Sequence, residues 1–268
     1  MGGVGPEPHG VEWIEVRNAR FRVERQGTGG PLLFLGGSFH DLDHDRHGFR
    51  LADRHRVVMY DQRGVGRTVP PPDDAPWTMQ TYADDALAVM KALGHERFAL
   101  VGYSFGAMVA QHVASAAPDR IGRLALIAAG PGGPLHSHPI HEWSHLPQRE
   151  AARRMLALQD TRDRNPTAKR IEEAAARTAS RFALAPPGGP DRLLVARAGH
   201  DARDALGSIR APALVIGGRH DGQARPAIVR ALADTIPNAD LVMIDGGHGF
   251  LADDPGPLGI IIEQWGDA

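Results

Sequence analysis

The chain has 268 residues, 42% of them apolar and 23% charged; this ordinary globular composition excludes global disorder, and the length suffices to bury a large core. Thirty Lys and Arg stand against 32 Asp and Glu for a formal charge of −2, so no bulk attraction to nucleic acid or to an anionic membrane is expected. The absence of cysteine excludes disulfides, thiolate metal sites and a cysteine nucleophile.

Residues 1–10 carry neither the basic nor the apolar region of a secretory signal. Pro6 stands where a myristoylation signal has Ser or Thr, and the longest apolar runs fall far short of the ~20 residues of a membrane span. A soluble, cytoplasmic protein is expected. Residues 11–26 read as two short β segments followed by the turn Gly27-Thr28-Gly29-Gly30. The apolar runs at 31–35 and 56–60 have the pattern of strands buried on both faces. A helix is predicted over 78–93, capped by Thr78 and stopped by Gly94, with Ala83, Leu87 and Met90 on one face. A strand over 98–101, a turn at 102–106, a helix to 117 and a strand over 124–128 complete this half. Apolar strands alternating with amphipathic helices predict a mostly parallel sheet covered on both sides.

The middle of the chain differs. No strand-like run occurs between Gly130 and Leu206; a Gly/Pro/His-rich loop leads into helical stretches at 148–159, 167–184 and 191–206. Strand patterning resumes at 212–216, followed by a helix over 226–235, a strand over 241–244 and a last helix over 258–265. The simplest organisation is a sheet domain of residues 1–130 and 207–268, interrupted by a helical lid of residues 131–206.

The strongest chemical signal is Gly102-Tyr103-Ser104-Phe105-Gly106, a G-x-S-x-G pattern lying between a predicted strand and a predicted helix. In that context the glycines permit a sharp turn that leaves the serine projecting above the sheet edge; without it, the same residues are a Gly-rich turn with a solvated serine. A serine hydroxyl needs a base, itself oriented by an acid. His248, in Asp245-Gly-Gly-His-Gly-Phe250, and Asp221, in Gly217-Gly-Arg-His-Asp221-Gly, each follow a predicted strand. Ser104, Asp221 and His248 thus come in the order serine, acid, histidine. Singly, His248 could be a turn histidine and Asp221 a helix cap; three strand ends in that order are hard to obtain by chance.

From about residue 11 to 268 the chain resembles the α/β-hydrolase family. Asp61-Gln-Arg-Gly64-Val-Gly66 looks like that family's D-x-R-G-x-G segment, and residues 217–226 look like its acid loop, G-x-x-D-x-x-x-x-P. The resemblance implies an eight-stranded α/β sheet, a Ser104–His248–Asp221 triad that needs no cofactor, and an oxyanion hole of two backbone N–H groups. Phe105 would give one donor. Many members carry His-Gly after the third strand, where this chain has Leu35-Gly36-Gly37-Ser38-Phe39; Ser38 is then the other donor, or Gly37 if the alignment starts from Leu35. Losing such a donor typically costs ~10²–10³ in rate.

Phe39, Tyr103 and Trp143 are the candidate substrate contacts. Trp143, Leu146, Met155, Leu156 and Leu158 could line the pocket, but helical spacing favours packing onto the body for most of them, and Arg149, Arg153 and Arg154 read as a solvated helix face. Two histidine-rich loops, 40–47 and 136–145, lack metal-site spacing, so no metal is expected. The reading is a serine esterase or lactonase acting on a small-to-medium carboxylic ester or lactone. The alternatives are a cofactor-free oxygenase using the His–Asp pair as base, a ligand-binding pseudo-hydrolase, and a proline-type aminopeptidase, against which stand the absence of the His-Gly-Gly-Pro-Gly segment such enzymes carry and of an obvious carboxylate cluster for a free amine beyond Glu172-Glu173. Whether the chain is a monomer or a homodimer is open.

Overall fold

Val11–Val16 (β1) and Ala19–Gln26 (β2) form an antiparallel hairpin. Their two-residue connection, Arg17-Asn18, has φ of 53° and 57°, the doubly left-handed turn whose twist matches that of paired strands. This computed structural model describes residues 10–72, 75–253 and 256–265; the reading of the first nine residues lies outside that range.

The remaining strands are Gly30–Leu35 (β3), His55–Tyr60 (β4), Phe98–Tyr103 (β5), Ile121–Ile127 (β6), Ala213–Gly218 (β7) and Ala239–Ile244 (β8). The sheet order is β1-β2-β4-β3-β5-β6-β7-β8, parallel from β4 onward and antiparallel only at the two pairings of β2. The central strands are apolar without alternation, and Leu32, Leu33, Phe34, Leu35, Leu124, Ala125, Leu126 and Ile127 are all buried, as a sheet covered on both faces requires.

Met79–Ala92 (α1) begins with a capping box in which Thr78 and Thr81 exchange side-chain and backbone hydrogen bonds. Gly94, with φ of 79°, follows its end. Phe105–Ala116 (α2) leaves directly from the tip of β5 and packs on α1. Between β6 and β7 lie Gln148–Gln159 (α3), Ala168–Leu184 (α4) and Gly189–Ala198 (α5). Pro226–Thr235 (α6) packs on β7 and β8, and Phe250–Asp253 (α7) and Gly256–Trp265 (α8) close the chain. No helix among the described residues is long and apolar enough to cross a membrane.

The helix expected over 191–206 ends instead at Ala198. Past Gly199 the backbone pairs with the loop after β6: Gly133 N–H donates to the His200 carbonyl and Ala202 N–H to the Pro131 carbonyl, at 3.0 and 2.9 Å. These long-range bonds replace the next helical turn, a choice that local periodicity does not encode.

Candidate active site

The C-terminal edge of the sheet collects the loops after β3, β5, β7 and β8. At the tip of β5, Ser104 has φ of 54° and ψ of −114°, a left-handed conformation for a residue with a Cβ. The flanking glycines make it feasible. A Cβ on Gly102 would lie 2.4 Å from the Gly106 carbonyl oxygen, and one on Gly106 would lie 2.0 Å from the Leu35 carbonyl oxygen. Strand, turn and helix are therefore closer than any other residue allows, and the serine is forced outward.

Ser104 Oγ lies 2.9 Å from His248 Nε2, and His248 Nδ1 lies 2.7 Å from Asp221 Oδ2. All three side chains are buried. The other Asp221 oxygen accepts from the N–H groups of Gln223 and Ala224 at 2.7 and 2.8 Å. The carboxylate can only accept, so Nδ1 carries the proton and Nε2 is left to accept from the serine. This arrangement lets an imidazole take up a hydroxyl proton while a fixed negative charge faces the imidazolium that forms.

Backbone from α3 completes the positioning. Its last carbonyls accept from the acid and base loops: Gly222 N–H reaches the Leu158 carbonyl at 3.0 Å, and His248 N–H reaches that of Gln159. A Cβ on Gly247 would stand 1.9 Å from the Gln159 oxygen, which explains a glycine immediately before the histidine. The Tyr103 hydroxyl donates to the His248 carbonyl at 2.7 Å. At the end of β4, buried Asp61 accepts from Leu42 N–H at 2.7 Å and Arg67 N–H at 2.8 Å, tying the loop after β3 to the sheet. Burial pushes its pKa up to about 6.

A model of the alpha/beta hydrolase fold matches residues 30–183. The chain belongs to the α/β-hydrolase family. A relative named "Putative carbamate hydrolase RutD" from Azorhizobium caulinodans is 26% identical over 89% of this chain and 91% of its own length. An enol-lactonase from Burkholderia xenovorans LB400 superposes with a TM-score of 0.79 at 24% identity, covering 94% of this chain and 98% of that one. A thermophilic esterase from Thermogutta terrifontis superposes with a TM-score of 0.75 at 26% identity, covering 95% and 97%.

In this family member, Ser104 and His248 stand at the wall of a cavity of about 350 Å³. The candidate substrate contacts Phe39, Tyr103 and Trp143 line it, and so do both candidate donor residues, Gly37 and Ser38. The expectation that most of Trp143, Leu146, Met155, Leu156 and Leu158 only pack onto the body needs correction. Trp143, Leu146 and Met155 line this cavity, and Leu156 lines an adjoining groove. Of the five, only Leu158 contacts the acid loop, through its meeting with Gly222. Arg149, Arg153 and Arg154 do form an exposed face, paired with Glu150 and Glu172.

Sequence reading missed four participants that line the cavity: Gln159, Gln223 and, from α4, Arg181 and Phe182. His40, from the first histidine-rich loop, lines it too. Burial holds His40 down at about 4, so it is a neutral ring at neutral pH, its centroid 5.5 Å from that of Tyr103 with the planes tilted by 41°. A Cβ on Gly36 would stand 2.8 Å from the His40 Cβ, so His40 leaves little room for a side chain at position 36. The histidine-rich loops engage in local bonds, His136 with the Gly133 carbonyl and His44 with Asp41, and among the described residues no three His, Asp or Glu side chains converge as metal ligands.

Proposed function

We propose that this α/β-hydrolase is a serine hydrolase that cleaves a small-to-medium carboxylic ester or lactone through an acyl-enzyme. The observation that carries the proposal is the continuous hydrogen-bonded chain from Asp221 through His248 to a conformationally strained Ser104 beside a partly open cavity lined by both apolar and polar groups. Ser104 Oγ attacks the acyl carbon as its proton passes to His248 Nε2. The carbonyl oxygen becomes an oxyanion facing the N–H groups of Phe105 and Ser38. The C–O bond then breaks, and the imidazolium returns the proton to the departing alkoxide. Water repeats the sequence on the acyl-enzyme, giving the acid and free Ser104.

Two features support the donors. Neither the Ser38 nor the Phe105 N–H donates to a backbone carbonyl among the described residues, and Phe105 opens α2, where N–H groups lack helical partners. The cavity volume falls at the small end of the range for small-molecule sites, roughly 300–1,000 Å³. Residues 131–206 act as the lid in this reading, since α3, α4 and the loop before them supply most of the apolar lining. The amine-site alternative loses support because Glu172 and Glu173 lie outside the cavity, close to Arg149 and Lys169. The names of the relatives favour acyl-carbon chemistry but leave carbamate beside ester and lactone.

The test combines a fluorophosphonate probe with a panel of short p-nitrophenyl esters, small lactones and aryl carbamates. Labelling of Ser104 and turnover of esters or lactones that disappears in Ser104→Ala is expected. Turnover confined to carbamates would move the substrate class, and absence of labelling at Ser104 would overturn the mechanism.

A further inference from the structure

The loop after β3 that carries Ser38 is gripped by three consecutive residues of α4. Ser180 Oγ bonds His44 Nε2 at 2.7 Å, and His44 Nδ1 is held in turn by Asp41 at 2.8 Å. Arg181 reaches both carboxylate oxygens of Asp45 at 2.7 and 2.8 Å. Phe182 meets Phe39 edge to face, with ring centroids 5.0 Å apart. From the sheet side, Asp61 holds the Leu42 N–H.

Phe39 matters most, because it sits at the critical place in a turn. His40 N–H closes that turn onto the Gly37 carbonyl at 3.1 Å, and Phe39, its third residue, has φ of 64° while Ser38 is not left-handed. That is the pattern of a type II turn, whose third position calls for glycine or asparagine. A phenylalanine there is strained, and strain of this kind persists only where surrounding structure over-determines it. The T-shaped contact from Phe182 is a restraint of that sort, and it comes from the lid. The turn's own bond uses His40 N–H and leaves that of Ser38 free.

We infer that Phe182 is a positioning residue: through Phe39 it holds the Gly37–His40 turn in the strained form that aims the Ser38 N–H at the developing oxyanion. Docking of α4 therefore completes the oxyanion site as well as covering the cavity. The inference rests on the acyl-enzyme reading above.

The test is a double-mutant cycle in the full chain, following kcat and KM for one ester substrate, with Ser104→Ala as the arm that checks the reaction itself. Phe182→Ala in the natural background is expected to lower kcat on the order of tenfold, within the ~10²-fold that a 1 Å misplacement near the chemistry can cost. In a Phe39→Gly background, where the left-handed turn is unstrained, the same substitution is expected to lower kcat less than about twofold, because non-additivity is the mark of coupled residues. Phe182 is 40% exposed, so its truncation leaves the core intact; Phe182→Leu provides a milder second variant with the same expected pattern. Equal losses of kcat in both backgrounds, or a change confined to KM, would overturn the inference. Turnover that survives Ser104→Ala would instead overturn the reaction on which it rests.

Discussion

Ser38→Pro isolates one hydrogen atom. The second residue of a type II turn takes φ near −60°, which is where proline is fixed and favoured, and the preceding residue is Gly37, which tolerates the restriction a proline imposes on its neighbour. The Ser38 N–H makes no backbone bond among the described residues, and its hydroxyl is buried without a partner. The substitution therefore removes the N–H without breaking a bond of the folded chain. Stability is expected to stay within about 1 kcal/mol, helped by the smaller entropy of the unfolded chain. If the N–H faces the oxyanion, its loss raises the barrier by about 2.7–4 kcal/mol, or ~10²–10³ in kcat. The assay is ester turnover with kcat and KM resolved, alongside a thermal melt, with Ser38→Ala as reference because it keeps the N–H. A Ser38→Pro protein that folds and turns over at the rate of Ser38→Ala would refute the assignment. Gly37 would then be the remaining candidate from that loop.

Three further outcomes are expected. Asp221→Asn keeps both oxygen-side bonds feasible but presents a donor to His248 Nδ1, favouring the wrong tautomer; a fall of roughly 10⁴ in kcat with little change in melting temperature is expected, and a loss under tenfold would show that the acid is dispensable. His200 is buried between His112, at 3.2 Å, and the Gly130 carbonyl, and burial holds its pKa down at about 4. As pH falls from 6.5 toward 4 the unfolded chain takes up this proton first, so stability present above 6.5 is lost across that window, by about 3 kcal/mol. Urea midpoints between pH 7 and 4.5 should fall less steeply in His200→Gln; identical slopes would contradict the assignment. Finally, the fluorophosphonate probe should label Ser104 and leave Ser180 unmodified, as read by peptide mass spectrometry. A label on Ser180 would mean that a hydroxyl–imidazole–carboxylate chain alone suffices for reactivity.

The parts legible in the sequence are those whose physics is local or whose order is dictated by chemistry. Continuous apolar runs located β3, β4 and β5 because a strand buried on both faces has no polar side. Ser104, Asp221 and His248 could be picked out because each must follow a strand end, and the chain order serine, acid, histidine then admits few other residues. What stayed hidden depends on pairing between distant segments. The early end of α5 follows from bonds between residues 200–202 and 131–133. The carbonyls of Leu158 and Gln159 hold the acid and base loops as backbone, so no side chain advertises them. Phe182 and Arg181 look like any amphipathic pair on α4 until the loop after β3 is placed beneath them. The hairpin turn at Arg17-Asn18 lacked the glycine that commonly announces such a turn.

Outside that hairpin, the non-glycine residues with left-handed φ among those described are Phe39, Ser104 and Ala128, at 64°, 54° and 54°. They follow β3, β5 and β6, which are adjacent in the sheet. Each such conformation costs on the order of 1–3 kcal/mol, together a sizeable fraction of the net stability of an ordinary domain, about 5–15 kcal/mol. At two of them the ladder hydrogen bonds continue through the strained residue: Ser104 N–H donates to the Ile127 carbonyl and Ala128 N–H to that of Ile216, both at 2.8 Å. The buried strands thus hold the backbone in register while it turns sharply at the sheet edge. Phe39 has no ladder bond of this kind, so its restraint comes from side chains: it packs against the core on one side and meets the ring of Phe182 edge to face on the other. Ser180 illustrates the opposite case. It shares with Ser104 a histidine and an aspartate at hydrogen-bonding distance, but it lies well inside α4, where its neighbours' N–H groups are committed to helical carbonyls. A developing oxyanion beside it would find no free backbone donor. On this argument the difference between a reactive serine and a structural one lies less in the imidazole than in the unpaired N–H groups and the strained turn that bring them within reach.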